Sequence, residues 1–200
     1  IGRPDISVGK TRGIMARGPD SYNICAFRGG KIYHSRLAIV GVGSKQSQPF
    51  RENGWCVSVN GEIYNSDTLG CVPGYSDCSV IIQLLMRFTP VEVCKILNGV
   101  FSFVAYHEPS RTAVVARDPI GVTPLYYAMH EGNLYVSSLL ETMPEYISRV
   151  EIFPPGHIGI FANSQLDLTC YVDPYRTTWP LASFAIADHV DKVDALCLRL

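Results

Sequence analysis

The sequence predicts an α+β fold in which antiparallel sheets are covered by helices. Short apolar segments of strand length are separated by Gly, Pro and Asn turn signals along most of the chain. Neighbouring segments are joined by turns of only a few residues, which is typical of hairpins. Helical periodicity is confined to a few places. With 47% hydrophobic and 18% charged residues among 200, the composition is that of a folded chain.

The predicted strands follow these apolar segments. Arg28-Gly29-Gly30 has the composition of a hairpin turn, and Glu108-Pro109-Ser110 and Glu131-Gly132 mark two more. The strands are therefore expected at residues 22–27, 31–40, 56–60, 100–106, 112–116, 124–129, 133–138, 158–161 and 166–171, with a further one at Ile152.

Two helices are expected in the middle of the chain and one at its end. Ser76-Asp77 can cap a helix over 76–88, and Thr89-Pro90 opens a second over 91–97. Residues 173–182 resemble a linker. Residues 183–200 then carry apolar side chains at helical spacing.

Composition also narrows the partners and the compartment. Seventeen basic and eighteen acidic residues give a net charge of −1, without a basic run that would favour nucleic acid. No apolar run reaches the roughly 20 residues that span a bilayer, so no membrane association is expected. The seven cysteines form no CxxC motif. They are interpreted as buried free thiols in a cytoplasmic protein, and no metal site is expected.

Arg36 is the first candidate site residue. It follows His34 in an apolar predicted strand, and a buried guanidinium requires a partner. That partner is either a structural carboxylate or the carboxylate of a ligand held by two hydrogen bonds. The upstream segment Arg17-Gly18-Pro19-Asp20 is, from spacing alone, an ordinary turn.

Two other polar segments lie where predicted elements begin or end. Asn60-Gly61 ends a strand and offers a side-chain amide beside an unhindered backbone N–H, the two donors that an oxyanion hole needs. Asn-Gly is equally a common turn dipeptide. Asp77 is in the first place a helix cap, but a carboxylate there can also receive an ammonium group.

Taken in order, six motifs resemble one family. The series RGPD, H-x-RLAIV…QP, NGEIYN, SDC, ARDPIGVTPLYY and FPPGH is similar to the class II glutamine amidotransferase domain of glutamine-hydrolysing asparagine synthetases. The resemblance covers roughly residues 11–171. It implies an N-terminal-nucleophile fold, with two stacked antiparallel sheets between helical layers.

The resemblance implies a glutamine pocket. Arg36 would clamp the α-carboxylate of L-glutamine, Asn60 and Gly61 would form the oxyanion hole, and Glu62 and Asp77 would receive the α-ammonium group. The backbone of four further residues would line the site: Leu37, Ala38, Ile39 and Val40. Ammonia would pass to a synthetase domain in cis. ATP and magnesium are expected only in that domain, so no cofactor is expected in this chain, and a homodimer is compatible with the family.

The sequence departs from the family at its start. The family's mature chain begins with Cys-Gly-Ile, whereas this sequence begins Ile1-Gly2-Arg3 and so lacks the nucleophile. We expect a domain over 1–172, the linker 173–182, and the start of a truncated synthetase domain over 183–200. Three explanations of the missing N-terminal Cys are open: truncation of the sequence, a diverged product without glutaminase activity, or a misassigned start. The alternative function is a non-catalytic module that binds glutamine or packs against a partner. A smaller departure is Ser138, where the family usually has Glu.

Overall fold

The computed structural model describes residue 13 and residues 15–36 and 47–172. Two short α-helices lie within these ranges, α1 (Val80–Leu85) and α2 (Pro90–Ile96), together with two 3₁₀ turns, Asp77–Ser79 and Leu140–Thr142. Residues 13 and 15–17 are also helical. The strands are β1 (Ser21–Phe27), β2 (Gly30–Arg36), β3 (Phe50–Glu52), β4 (Trp55–Ile63), β5 (Gly99–His107), β6 (Thr112–Arg117), β7 (Tyr126–His130), β8 (Asn133–Ser137), β9 (Glu151–Ile152), β10 (His157–Ala162) and β11 (Gln165–Cys170).

A six-stranded antiparallel sheet forms the centre, in the order β11-β10-β6-β5-β4-β3. Side chains alternate between its two faces because successive residues of a strand point to opposite sides. The register places Asn60 of β4 opposite Ser102 of β5, which in turn lies opposite Arg117 of β6. These three residues therefore share one face of the sheet.

The opposite face of this sheet carries the main hydrophobic core. Phe101 and Phe103 of β5 are fully buried there and pack in one cluster with α1 and α2. Each fully buried aliphatic or aromatic side chain contributes about 1.5–3 kcal/mol relative to exposure. α1 and α2 therefore form a stable covering layer on this face of β4 and β5.

The second sheet layer consists of two separate sheets, the hairpin β1–β2 and the three strands β8-β7-β9. Cys25 and Ile32 of the hairpin share a cluster with Cys56 and Tyr106 of the central sheet. Val115 of β6 clusters with the β7–β8 sheet in the same way. The stacked arrangement of the expected fold is confirmed, with its second layer divided.

The outer side of β7–β8 is covered by the segment that follows β8. The ring of Tyr146 packs 5.3 Å from that of His130 and 6.3 Å from that of Tyr135. Ser137 and Thr142 are joined through their hydroxyl groups. The described chain on that side forms the 3₁₀ turn Leu140–Thr142 and irregular structure, with the helical residues 15–17 beside it through the hydrogen bond from Arg17 to Ser138.

The predicted hairpins and α2 are confirmed within one or two residues, except that residues 37–40 of the strand predicted over 31–40 lie outside the described residues. Thr89 caps α2 in a capping box with Glu92, and Pro90 is its first residue. The expected helix over 76–88 is shorter than predicted, because a 3₁₀ turn replaces its first residues and α1 ends at Leu85. β3 was not predicted. The proposed linker 173–182 and helix 183–200 lie outside the described residues.

The expectation of free thiols is wrong for one pair. Cys25 of β1 and Cys56 of β4 are joined by a disulfide, and their Cα atoms are 6.8 Å apart. Sequence spacing could not indicate this pair, since the two cysteines face each other only when β1–β2 stacks on the central sheet. Among the described cysteines, Cys71, Cys78, Cys94 and Cys170 are free.

Candidate active site

The site is built on the edge of β4 beyond its last pairing with β3. Phe50 opposite Val57 is the final pair of that ladder. Further along, Val59 N–H donates to Gln48 Oε1 at 2.7 Å and Ile63 N–H donates to Asp77 Oδ2 at 2.6 Å. These N–H groups belong to alternate residues, so the N–H of Gly61 between them points to the same edge. No described residue accepts a hydrogen bond from it.

Gly61 is required at this position by its surroundings. Its φ is +141°, a region that residues with a side chain rarely adopt. A Cβ here would overlap the carbonyl oxygen of Val100 and lie 2.8 Å from Phe101 Cα. The backbone of β5 can therefore approach β4 closely only because residue 61 is glycine.

Asp77 and Cys78 also contact this stretch of β4, at Ile63 and at Gly61. The pKa of the Cys78 thiol is raised well above its usual value, first by burial and then by the charge of Asp77. The thiol therefore stays protonated and donates to Gly61 O at 3.4 Å. Asp77 was predicted as a helix cap. The structure corrects this, since its carboxylate accepts a hydrogen bond from the backbone N–H of Ile63 on β4.

Asn60 carries an unusual buried donor. Its Nδ2 is buried and has no hydrogen-bond partner in the described structure. Such a group loses its hydration without compensation and costs about 1–3 kcal/mol, so an unpaired one requires an explanation. An acceptor brought by a ligand would satisfy it.

β2 lies over β4 on the Asn60 side of the sheet. Ile32 shares a cluster with Cys56, and two residues further along both strands, His34 Nδ1 lies 2.9 Å from Ser58 Oγ. The same step of two residues leads from His34 to Arg36 and from Ser58 to Asn60. The two strands thus run alongside each other toward Arg36 and Asn60.

His34 is neutral at physiological pH. Burial lowers its pKa to about 4, with a smaller contribution from the positive charge of Arg36. The hydrogen bond to Ser58 therefore joins two neutral groups. Arg36 is then the charged group at this end of β2.

The RGPD motif holds the end of β2, which spacing alone did not indicate. Pro19 forms a parallel bridge with Arg36, and Asp20 N–H donates to Arg36 O at 3.1 Å. A Cβ on Gly18 would lie 2.5 Å from Arg36 N, so this approach also requires glycine. Arg17 donates to Ser138 Oγ at 3.3 Å. The RGPD motif thus contacts Ser138, the position at which the family usually has Glu.

The ARDPIGVTPLYY motif is structural. The guanidinium of Arg117 donates to the backbone carbonyl groups of Thr123, Phe153 and Gly121 at 2.7–2.8 Å. Asp118, which is 1% exposed, accepts the N–H groups of the loop that follows it. Together they fix the loop after β6 on the Asn60 side of the sheet.

The predicted site residues fall into three groups. Asn60, Gly61, Glu62 and Asp77 lie on or beside the end of β4, with Glu62 exposed and on the Asn60 face. Arg36 ends the strand stacked over β4. Leu37, Ala38, Ile39 and Val40 lie outside the described residues. Gln48 was not predicted to contact the site, although its motif QP was noted, because only the tertiary fold brings it to Val59.

Comparison with known proteins identifies the family. The chain matches the glutamine amidotransferase domain family over residues 5–152. The chain belongs to this family. It is 36% identical over 156 residues to asparagine synthetase [glutamine-hydrolyzing] of Triphysaria versicolor, covering 74% of this chain and 26% of that protein. This amidotransferase domain is therefore homologous to the glutaminase domains of asparagine synthetases.

Other relatives show the same pattern. A probable asparagine synthetase of Schizosaccharomyces pombe is 38% identical over 156 residues, which is 72% of this chain and 28% of that protein. That of Dictyostelium discoideum is 32% identical over 178 residues, or 83% and 31%. The chain thus spans about a quarter to a third of the length of these curated relatives.

Solved structures support the fold. The glutamine phosphoribosylpyrophosphate amidotransferase of B. subtilis has a TM-score of 0.58 at 22% identity, covering 72% of this chain and 35% of that chain. This confirms the N-terminal-nucleophile type sandwich. Within the described ranges, no helix is long and apolar enough to cross a membrane. Nor do those ranges contain a cluster of three metal-ligating side chains.

Proposed function

We propose that this amidotransferase domain binds L-glutamine beside residues 60–63 of β4. In a form preceded by Cys-Gly-Ile, it would hydrolyse glutamine to glutamate and ammonia. The observation that carries the proposal is the buried Nδ2 of Asn60 next to the N–H of Gly61, since neither has an acceptor in the described part of the chain. Two donors without acceptors fit the oxygen of the glutamine side-chain amide, on which negative charge develops.

The charged groups around these donors suit the other end of an amino acid. Arg36 presents a planar guanidinium that can hold the α-carboxylate by two hydrogen bonds. Asp77 uses Oδ2 for Ile63 N–H and Oδ1 for the hydroxyl of Ser76. A carboxylate has about four lone-pair positions, so Asp77 can also accept from the α-ammonium group. Glu62 would add a second negative charge, and the backbone of residues 37–40 would complete the lining.

The proposed reaction proceeds through the N-terminal thiol. Its sulfur forms a bond to the glutamine δ-carbon while the α-amino group of the same residue takes the thiol proton. Asn60 and Gly61 stabilise the resulting oxyanion. The tetrahedral intermediate then collapses, the C–N bond breaks, and ammonia leaves with that proton. Water attacks the thioester and releases glutamate and the free thiol.

For the whole protein, the relatives suggest a further step. Because they are asparagine synthetases about three times as long as this chain, we propose that the ammonia passes to a synthetase part in cis. ATP and magnesium would act in that part, and none is proposed for the amidotransferase domain. A cytoplasmic location and a homodimer belong to the same proposal.

The test separates binding from turnover. Titration of the 200-residue chain with L-glutamine, followed by NMR, should give a millimolar Kd, and Asn60→Ala should weaken it. Asn133→Ala makes the same change in the distant β7–β8 hairpin and should have no effect.

In the form extended by Cys-Gly-Ile, a coupled assay should detect ammonia, and Asn60→Ala should lower kcat by about 10²–10³. Binding without ammonia release from the folded extended form would favour the non-catalytic module, and absence of binding would refute the proposal.

A further inference from the structure

Gln48 occupies the position where the β3–β4 ladder would continue. After the pair Phe50 and Val57, the next hydrogen-bonded partner of Val59 would be the backbone of residue 48. Pro49 has no N–H and suits the start of an edge strand. The side-chain carbonyl of Gln48 accepts the N–H of Val59 at 2.7 Å in place of a backbone carbonyl, and this side chain is buried.

Because a side chain takes the place of the backbone acceptor, β3 does not continue alongside β4 as far as Gly61. Two side chains from different elements, Gln48 and Asp77, satisfy the N–H groups of Val59 and Ile63, and Gly61 N–H between them has no acceptor among the described residues. Asn60 O pairs with β5 on the opposite edge, so the Asn60–Gly61 peptide is fixed with its N–H outward.

We propose that Gln48 is a positioning residue of the glutamine site: its side-chain carbonyl anchors β4 at Val59 and thereby aims Gly61 N–H at the glutamine side-chain oxygen. This inference rests on the proposed function. It adds a residue that touches neither the ligand nor the nucleophile and acts through the strand edge alone. Loss of the Gln48 acceptor should therefore weaken only the hydrogen bond to the δ-oxygen of glutamine. The contacts of the α-carboxylate and the α-ammonium group should stay unchanged.

A pair of ligands makes this selectivity measurable. L-norleucine has the α-groups of glutamine and an apolar side chain of similar length without the δ-oxygen. NMR titration of the 200-residue chain should show tighter binding of L-glutamine than of L-norleucine, by about threefold to tenfold for a hydrogen bond to the δ-oxygen. Gly61 N–H should shift with glutamine and much less with norleucine.

Variants of Gln48 then test whether its side-chain carbonyl has this positioning role. Gln48→Leu removes the acceptor and should reduce the glutamine preference to about one, with the Kd of norleucine unchanged. Gln48→Glu retains an acceptor for Val59 N–H and should retain the preference. Gln165→Leu makes the same change on the exposed strand β11 and serves as the control. If Gln48→Leu does not fold, Gln48→Met, which also lacks the acceptor but is unbranched, takes its place.

The outcomes separate the two proposals. If Asn60→Ala abolishes the preference while Gln48→Leu keeps it, or if Gln48→Leu weakens both ligands equally, the positioning role is overturned and the glutamine site stands. If the unmodified chain binds neither ligand, or binds both equally without a shift at Gly61, both proposals fail.

Discussion

The carboxylate of Asp77 accepts the backbone N–H of Ile63 at 2.6 Å and so joins the start of a 3₁₀ turn to the end of β4. This contact gives one residue two separable properties. Its hydrogen bond to β4 needs only an oxygen acceptor, whereas attraction of a ligand ammonium group needs its negative charge. Structural and binding roles can therefore be distinguished by substitution.

Asp77→Asn keeps an acceptor for Ile63 N–H and should leave the free energy of unfolding nearly unchanged. Asp77→Ala leaves that N–H unpaired and should lower the free energy of unfolding by about 1–2 kcal/mol. Both substitutions should weaken glutamine binding, because both remove the charge. Urea unfolding and NMR titration measure the two effects, with exposed Asp167→Ala as control. Unchanged affinity in the folded Asn variant would exclude Asp77 from the ammonium site.

Gly61→Ala should destabilise the domain by at least about 2 kcal/mol, since its Cβ would overlap backbone atoms of β5 at a positive φ. Gly70→Ala is the matched control. Its φ is +87° but no atom lies within 4 Å of its added Cβ. It should cost only about 1 kcal/mol of conformational strain. Thermal unfolding of the two variants compares them, and equal losses would contradict the close approach of β4 and β5.

Acid should weaken the fold through His34. Its folded pKa of about 4 lies below the value of about 6.5 in an unfolded chain. The unfolded state therefore binds a proton first as the pH falls. Stability from this group is complete above about pH 6.5, declines between pH 6.5 and 4, and is then lost, a total of about 3 kcal/mol.

Urea unfolding at several pH values tests this contribution. His34→Asn, which can still bond Ser58, should flatten the decline between pH 6.5 and 4. His130→Asn, on the β7–β8 hairpin, should retain it. A decline of the same size in the His34 variant would assign the pH dependence to other groups.

Asp118→Ala should be among the more damaging single substitutions. The buried carboxylate accepts the N–H groups of Ile120, Gly121 and Val122, and its removal would leave these donors unpaired beside Arg117. We expect a loss of at least about 2 kcal/mol in the free energy of unfolding. Exposed Asp67→Ala should cost far less. Near-equal values from urea unfolding would show that water replaces Asp118 in the loop.

Local signals were enough for much of the fold. Hairpin turns such as Arg28-Gly29-Gly30 and the Thr89-Pro90 helix start depend on neighbouring residues, so the sequence indicated them correctly. The helix predicted over 76–88 was too long, because Asp77 binds the N–H of Ile63 and its turn is 3₁₀. A contact between segments 14 residues apart leaves no local pattern.

The sequence by itself determined the alternation of strands and turns, the family, and the residue types that a glutamine site requires. Only the tertiary structure decided which of those residues share a strand edge and what surrounds them. Gln48 reaches Val59, and Cys25 meets Cys56, only because separate strands pair or stack. Periodicity records which face of an element is buried, whereas the partner across a sheet edge or between layers is set by the packing of the whole chain.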